Sequence, residues 1–101
     1  MAASRIASRS RYLINGEPTA NRLGAATRGV FRVRLATEGR AAHSGYPELG
    51  RSAIDGLVDL LVDLRRADWP DDPALGRTHY TVGLISGGVA PNVVPPHAEA
   101  E

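Results

Sequence analysis

Between Ser52 and Arg66 the apolar residues recur at helical spacing, and prolines close the segment a few residues later. Ile54, Leu57, Val58, Leu61 and Leu64 keep the 3.6-residue period, so a helix here carries an apolar stripe that must be laid on another element. Ser52 and Asp55 have the spacing of an N-terminal capping box, which offers a hydroxyl and a carboxylate to amides that would otherwise lack partners. Arg65 and Arg66 suit the negative end of the helix dipole. Pro70 and Pro73 prevent any helical continuation. Asp55, Asp59 and Asp63 lie opposite the apolar stripe, where like charges four residues apart read as a solvated face rather than a cation site.

The stripe needs a sheet. From Gly29 to Glu38 the residues alternate, with Phe31, Val33 and Leu35 on one face and Arg32 and Arg34 on the other, as in a half-buried strand. A second strand is expected from Thr78 to Ser86, with Tyr80, Val82 and Leu84 alternating against His79, Thr81 and Gly83, until Gly87-Gly88 breaks it. After VAPNVVPP the alternation resumes at His97 and runs to Glu101 as the start of a third strand. One strand, one helix and two more strands in 101 residues make a single small α+β unit that stops partway through an element.

Composition narrows the function classes. All 12 basic residues are arginine and face 11 acids, so a net charge of +1 gives no field for nucleic acid or anionic membrane. Without cysteine there is neither a disulfide nor a thiolate zinc site, and any metal must be held by His, Asp or Glu. Apolar runs stay far below the ~20 residues that cross a bilayer, which makes a soluble protein the expectation. The first stretch, MAASRIASRSRY, is arginine- and serine-bearing without an acid, a composition shared by transit peptides and by frayed termini.

Three residues stand out chemically. His43 lies in the loop GRAAHSGYPELG between strand and helix, flanked by Ala42 and Ser44, where an imidazole could project and donate a hydrogen bond. Asn92 sits in GGVAPNVVP, among glycines that allow close approach and prolines that stiffen the loop; its amide could bind a carboxylate or carbonyl, or cap its own turn. Glu17, in INGEPT, is a carboxylate in a turn before a proline. His79 and His97, far from His43 and from each other in sequence, read as ordinary surface histidines.

Taken in order, INGEPT, RGVFRVRLATEGRAAHSGYPELGRSAIDGLVDLL and GLISGGVAPNVVP resemble segments of the co-catalytic zinc hydrolases that include acetylornithine deacetylase, succinyl-diaminopimelate desuccinylase, aminoacylase and glutamate carboxypeptidase. The resemblance implies an α+β fold, an antiparallel sheet with helices on one face in a ferredoxin-like lid, here incomplete. By it, residues 1–27 are an N-terminal tail and the end of a catalytic-domain segment, and 28–101 a partial lid and dimerisation domain. It further implies that His43 reaches a partner subunit's active site and stabilises an oxyanion, that Asn92 binds substrate, and that Glu17 is a zinc ligand. The complete enzymes hold two zinc ions and act on N-acyl amino acids or peptides; one carboxylate is too few, so tight zinc binding and hydrolysis by this chain alone are not expected. A homodimer or a full-length relative is the implied partner, with no nucleic acid or membrane, in the cytoplasm. A free-standing, non-catalytic dimerisation module is the rival reading.

Overall fold

The structure is a computed structural model, and it describes residues 26–101 throughout, preceded by 11, 12, 14, 16, 18, 20 and 22–24. Residues 1–10 of the arginine-bearing first stretch and Glu17 lie outside the described residues. The helix forms where its cap predicts. In α1 (Ala53–Arg66) the Ser52 hydroxyl accepts a hydrogen bond from the Asp55 N–H at 3.1 Å, and the Ala67 N–H closes the last turn on the Asp63 carbonyl at 3.0 Å.

Beneath α1 lie β1 (Leu35–Glu38), β4 (Ile85–Gly87) and β5 (His97–Ala100), an antiparallel sheet in the order β1-β5-β4. Leu35 and Ile85 both pair with Ala100, Thr37 and Gly87 both pair with Ala98, and this face carries the helix. The fold is α+β with the helix on one face of the sheet, as expected. Its core is small: among the described residues Ala53, Leu57, Ala98 and Ala100 are buried, with Leu35 and Leu61 packed against them. The Thr37 hydroxyl donates to the Ala53 carbonyl at 2.8 Å and so pins the helix start to β1.

The opposite face is polar. Arg34 lies 3.4 Å from Glu101 and 3.9 Å from Glu99, while His97 meets Glu38 at 3.3 Å and Glu99 at 3.8 Å. Such exposed pairs add little stability but keep that face wet. His79 is also exposed, 3.2 Å from Arg28. Both histidines are therefore surface groups with polar neighbours. Asp55, Asp59 and Asp63 are exposed as well.

Both alternating segments form shorter strands than their sequence suggests. β1 begins at Leu35 rather than Gly29, leaving Phe31 90% and Val33 51% exposed. β4 begins at Ile85 rather than Thr78, with Gly83 and Leu84 joined to Glu101 by backbone bonds of 2.8–3.2 Å. β1 pairs with β5 over four residues and β4 over three, with Gly83 and Leu84 bonded to Glu101 beyond them, and each strand runs only as far as its ladder with β5. In this register Leu84 pairs with Glu101 away from the helix while Ile85 points toward it. Gly88, at φ +77°, ends β4 where the paired glycines predict.

An unforeseen hairpin, β2 (Asp71–Asp72) and β3 (Gly76–Arg77), follows the helix. The Leu75 and Ala74 amides both donate to Asp72 Oδ1 at 2.8 Å, and these bonds hold its carboxyl below the ordinary carboxylate range. A depressed acid stabilises the fold above its unfolded pKa, and that contribution is lost as pH falls through the folded value. We therefore expect the Ala74 and Leu75 amide resonances to shift together on acid titration below about pH 4, the ordinary aspartate value, while Asp72→Asn abolishes the transition. A transition that survives in that variant assigns it to another group.

Candidate functional site

The loop after β1 is closed at its base by two reciprocal bonds, Arg40 N–H to Arg51 C=O at 2.8 Å and Arg51 N–H to Arg40 C=O at 2.9 Å. Inside it, a single 3-10 turn at Pro47–Leu49 uses proline at its first position, where no N–H is needed. The Tyr46 N–H donates to the His43 carbonyl at 2.9 Å and fixes the corner.

The loop between β4 and β5 lies alongside. Ser44 N–H donates to the Asn92 carbonyl at 2.9 Å, Val94 N–H to the Ala42 carbonyl at 2.8 Å, and His43 and Val93 form an antiparallel bridge. Gly39 N–H to Pro96 C=O and Ala53 N–H to Pro95 C=O, both 2.8 Å, fasten the same loop to the ends of β1 and α1. Two segments distant in sequence are thus zipped by backbone bonds, and His43 and Asn92 sit at adjoining turns. Both side chains are exposed.

The Gly45 N–H donates to His43 Nδ1 at 3.0 Å, and a neutral ring that accepts at Nδ1 carries its proton on Nε2. The Tyr46 ring stands 6.3 Å from the imidazole at 58°. The two loops come close at Gly50, where a Cβ would stand 2.9 Å from Val94 Cγ1 and 3.0 Å from Ala42 Cβ. The Gly45 amide, the Asn92 carbonyl and Val93 are the contributors that sequence reasoning missed, because each acts through its backbone.

Among the described residues no three His, Asp or Glu side chains converge as a metal site, so these residues do not fit a zinc centre of their own. Glu17, the expected ligand, lies outside them. No helix among the described residues is long and apolar enough to cross a membrane.

A family model described as a peptidase dimerisation domain matches residues 25–101. An Aspergillus flavus protein named "Probable carboxypeptidase" is 45% identical over 96 residues, covering 87% of this chain and 23% of that protein. One of the same name from Arthroderma gypseum is 39% identical over 97 residues, with 88% and 21% covered. The chain thus spans less than a quarter of the length of these curated relatives. Among solved structures, the aminopeptidase PepT from Bacillus cereus superimposes with a TM-score of 0.51 at 26% identity, over 66% of this chain and 17% of that one.

Proposed function

This chain belongs to the peptidase dimerisation domain family, and on that premise we propose that residues 28–101 form the lid and dimerisation region of a zinc-dependent amidohydrolase. Residues 1–27 are then a tail and the end of its catalytic-domain segment. The partner is a second copy or a full-length relative, whose active site His43 enters. The observation that carries this reading is the hydrogen bond from Gly45 N–H to His43 Nδ1, which leaves Nε2–H as a donor on an exposed loop.

When water adds to the carbonyl of an N-acyl amino acid or peptide, negative charge develops on the carbonyl oxygen. A preformed donor aimed at that oxygen is worth more in the transition state than in the ground state, and so raises kcat. Asn92, fastened to the same loop, would hold the substrate's carboxylate or carbonyl through its side-chain amide. Glu17 is the one residue of this chain that we assign to metal, in a centre completed by residues outside it. The chain's own contribution is charge stabilisation and substrate binding; activation of water belongs elsewhere in the complete enzyme.

The test is a graft. Residues 25–101 replace the matching segment of the A. flavus relative, and hydrolysis of N-acyl amino acids and peptides is measured with and without His43→Ala. Once the parent graft is active, the substitution should lower kcat by about 10²–10³, the usual cost of one oxyanion donor. Sedimentation should show the dimer intact. An unchanged kcat overturns the assignment of His43.

A further inference from the structure

We infer that Gly45 is a positioning residue for His43: its N–H fixes the ring as the Nε2–H tautomer, and its lack of a side chain leaves room for that contact. The use made of the Nε2 proton rests on the function proposed above. The tautomer itself does not, and it can be read directly.

The residues on either side of Gly45 are held by backbone bonds. The His43 carbonyl accepts from Tyr46 N–H, the Ser44 N–H is taken by Asn92, and His43 is bridged to Val93 on its other side. The remaining amide, Gly45 N–H, points at Nδ1 from 3.0 Å. A Cβ built on Gly45 would stand 3.2 Å from Nδ1 and 3.5 Å from Cε1, the first closer than ordinary van der Waals contact. With Ser44 and Tyr46 on either side tied through their amides, the imidazole would have to give by a few tenths of an ångström and lengthen its bond to the Gly45 amide. Neither other histidine is held this way: Nδ1 of His79 faces Arg28 Nη1 and Nδ1 of His97 faces Glu38 Oε1, both of them side-chain groups that can move.

An imidazole in water exchanges its proton between two nitrogens. A ring that must present a donor at one of them loses part of its population to the wrong form, or to the right form wrongly aimed. An amide N–H donating to Nδ1 counters both losses, since an N–H can meet only an unprotonated nitrogen. The lock is entirely local, two residues from the histidine, so it travels with the loop.

The experiment uses the 15N-labelled chain above the ordinary histidine range of about pH 6.5. Long-range proton–nitrogen spectra should show His43 with a bare Nδ1 and a protonated Nε2, with a nitrogen–nitrogen coupling through the hydrogen bond to the Gly45 amide. His43→Gln identifies the signals by their loss. An ester in place of the Ser44–Gly45 amide removes only the N–H, and should abolish the coupling and return His43 to the tautomer mixture of a free imidazole. A protonated Nδ1, or no coupling in the unmodified chain, overturns the proposal whatever the variants do. In the active graft, Gly45→Ala should lower kcat about severalfold at nearly constant KM, less than the roughly hundredfold that a misplacement of about 1 Å costs. If His43→Ala leaves the graft's activity intact while the coupling is present, the catalytic reading fails and the lock stands; the reverse pair of results sinks the lock alone.

Discussion

Gly39→Ala will abolish the cooperative unfolding transition of this chain or lower its midpoint severely. Gly39 sits where β1, the start of α1 and the β4–β5 loop cross. A Cβ there would collide with the Arg51 carbonyl and stand 2.7 Å from the Pro95 carbonyl and 2.8 Å from the Ala53 nitrogen. All three are backbone atoms, so no side chain can rotate out of the way. Relief means separating segments joined by Gly39 to Pro96, Arg40 to Arg51 and Ala53 to Pro95, each at 2.8 Å. Stranding the groups of two such bonds costs about 2–6 kcal/mol at 1–3 each, comparable to the whole stability of a small domain. Gly29, with nothing within 4 Å of its built Cβ, is the matched control. Urea unfolding of the two alanine variants separates the cases: Gly29→Ala should fall within about 0.5 kcal/mol of the parent, as surface changes do. Equal midpoints would mean that the three segments do not cross as closely as described. Because the same crossing fastens the Asn92 loop, Gly39→Ala should also release the bond between Ser44 and Asn92.

What the sequence declares depends on how local the cause is. The helix, its Ser52 cap, its end before Pro70 and the break at Gly87-Gly88 are all read from neighbouring residues, and all appear where expected. Strand length is different. Phe31 and Val33 alternate as well as Leu35 does, but a strand extends only as far as its partner, and β5 meets β1 and β4 over only a few residues. The alternation of Tyr80, Val82 and Leu84 does not say which side meets the helix; the register does, by placing Ile85 opposite Ala100. The β2–β3 hairpin was hidden by its size. Pro70 and Pro73 are legible as helix stops, while the turn itself depends on Asp72 accepting two amides.

The site follows the same division. His43 and Asn92 are visible as chemical groups in loops rich in small residues and proline. Their neighbourhood is not visible, since it rests on the backbone bonds from Ser44 to Asn92 and from Val94 to Ala42, which no side-chain pattern encodes. Those bonds place the two loops side by side. Glu17 stays a reading from sequence, outside the described residues.

Leu57→Ala should cost about 3 kcal/mol, within the range of 2–5 for burying and then deleting such a side chain. Leu57 is 1% exposed and is the only large side chain fully buried among the described residues; its buried companions Ala53, Ala98 and Ala100 have nothing to move into the space. The lower half of the range applies because Leu57 also borders an open apolar groove with Ile54, Val58, Ile85 and Gly87, so part of the vacated volume meets water rather than becoming a sealed void. Val58, one residue on and 48% exposed, is the comparison: Val58→Ala should cost under about 1 kcal/mol, since only part of its surface leaves water on folding. Leu57→Met should recover most of the loss, staying within about 1.5 kcal/mol of the parent, because it keeps the volume. Denaturant unfolding of the three variants reads these differences directly. If Leu57→Ala and Val58→Ala cost the same, α1 rests on the sheet through a stripe rotated by part of the roughly 100° that separates neighbouring residues. Such a rotation would carry the Ala53 N–H away from Pro95 and loosen the loop that holds Asn92 beside His43. The packing of one leucine and the geometry of the site are therefore one measurement: variants that loosen the helix should lose the coupling between Gly45 and His43 in the same order in which they lose stability.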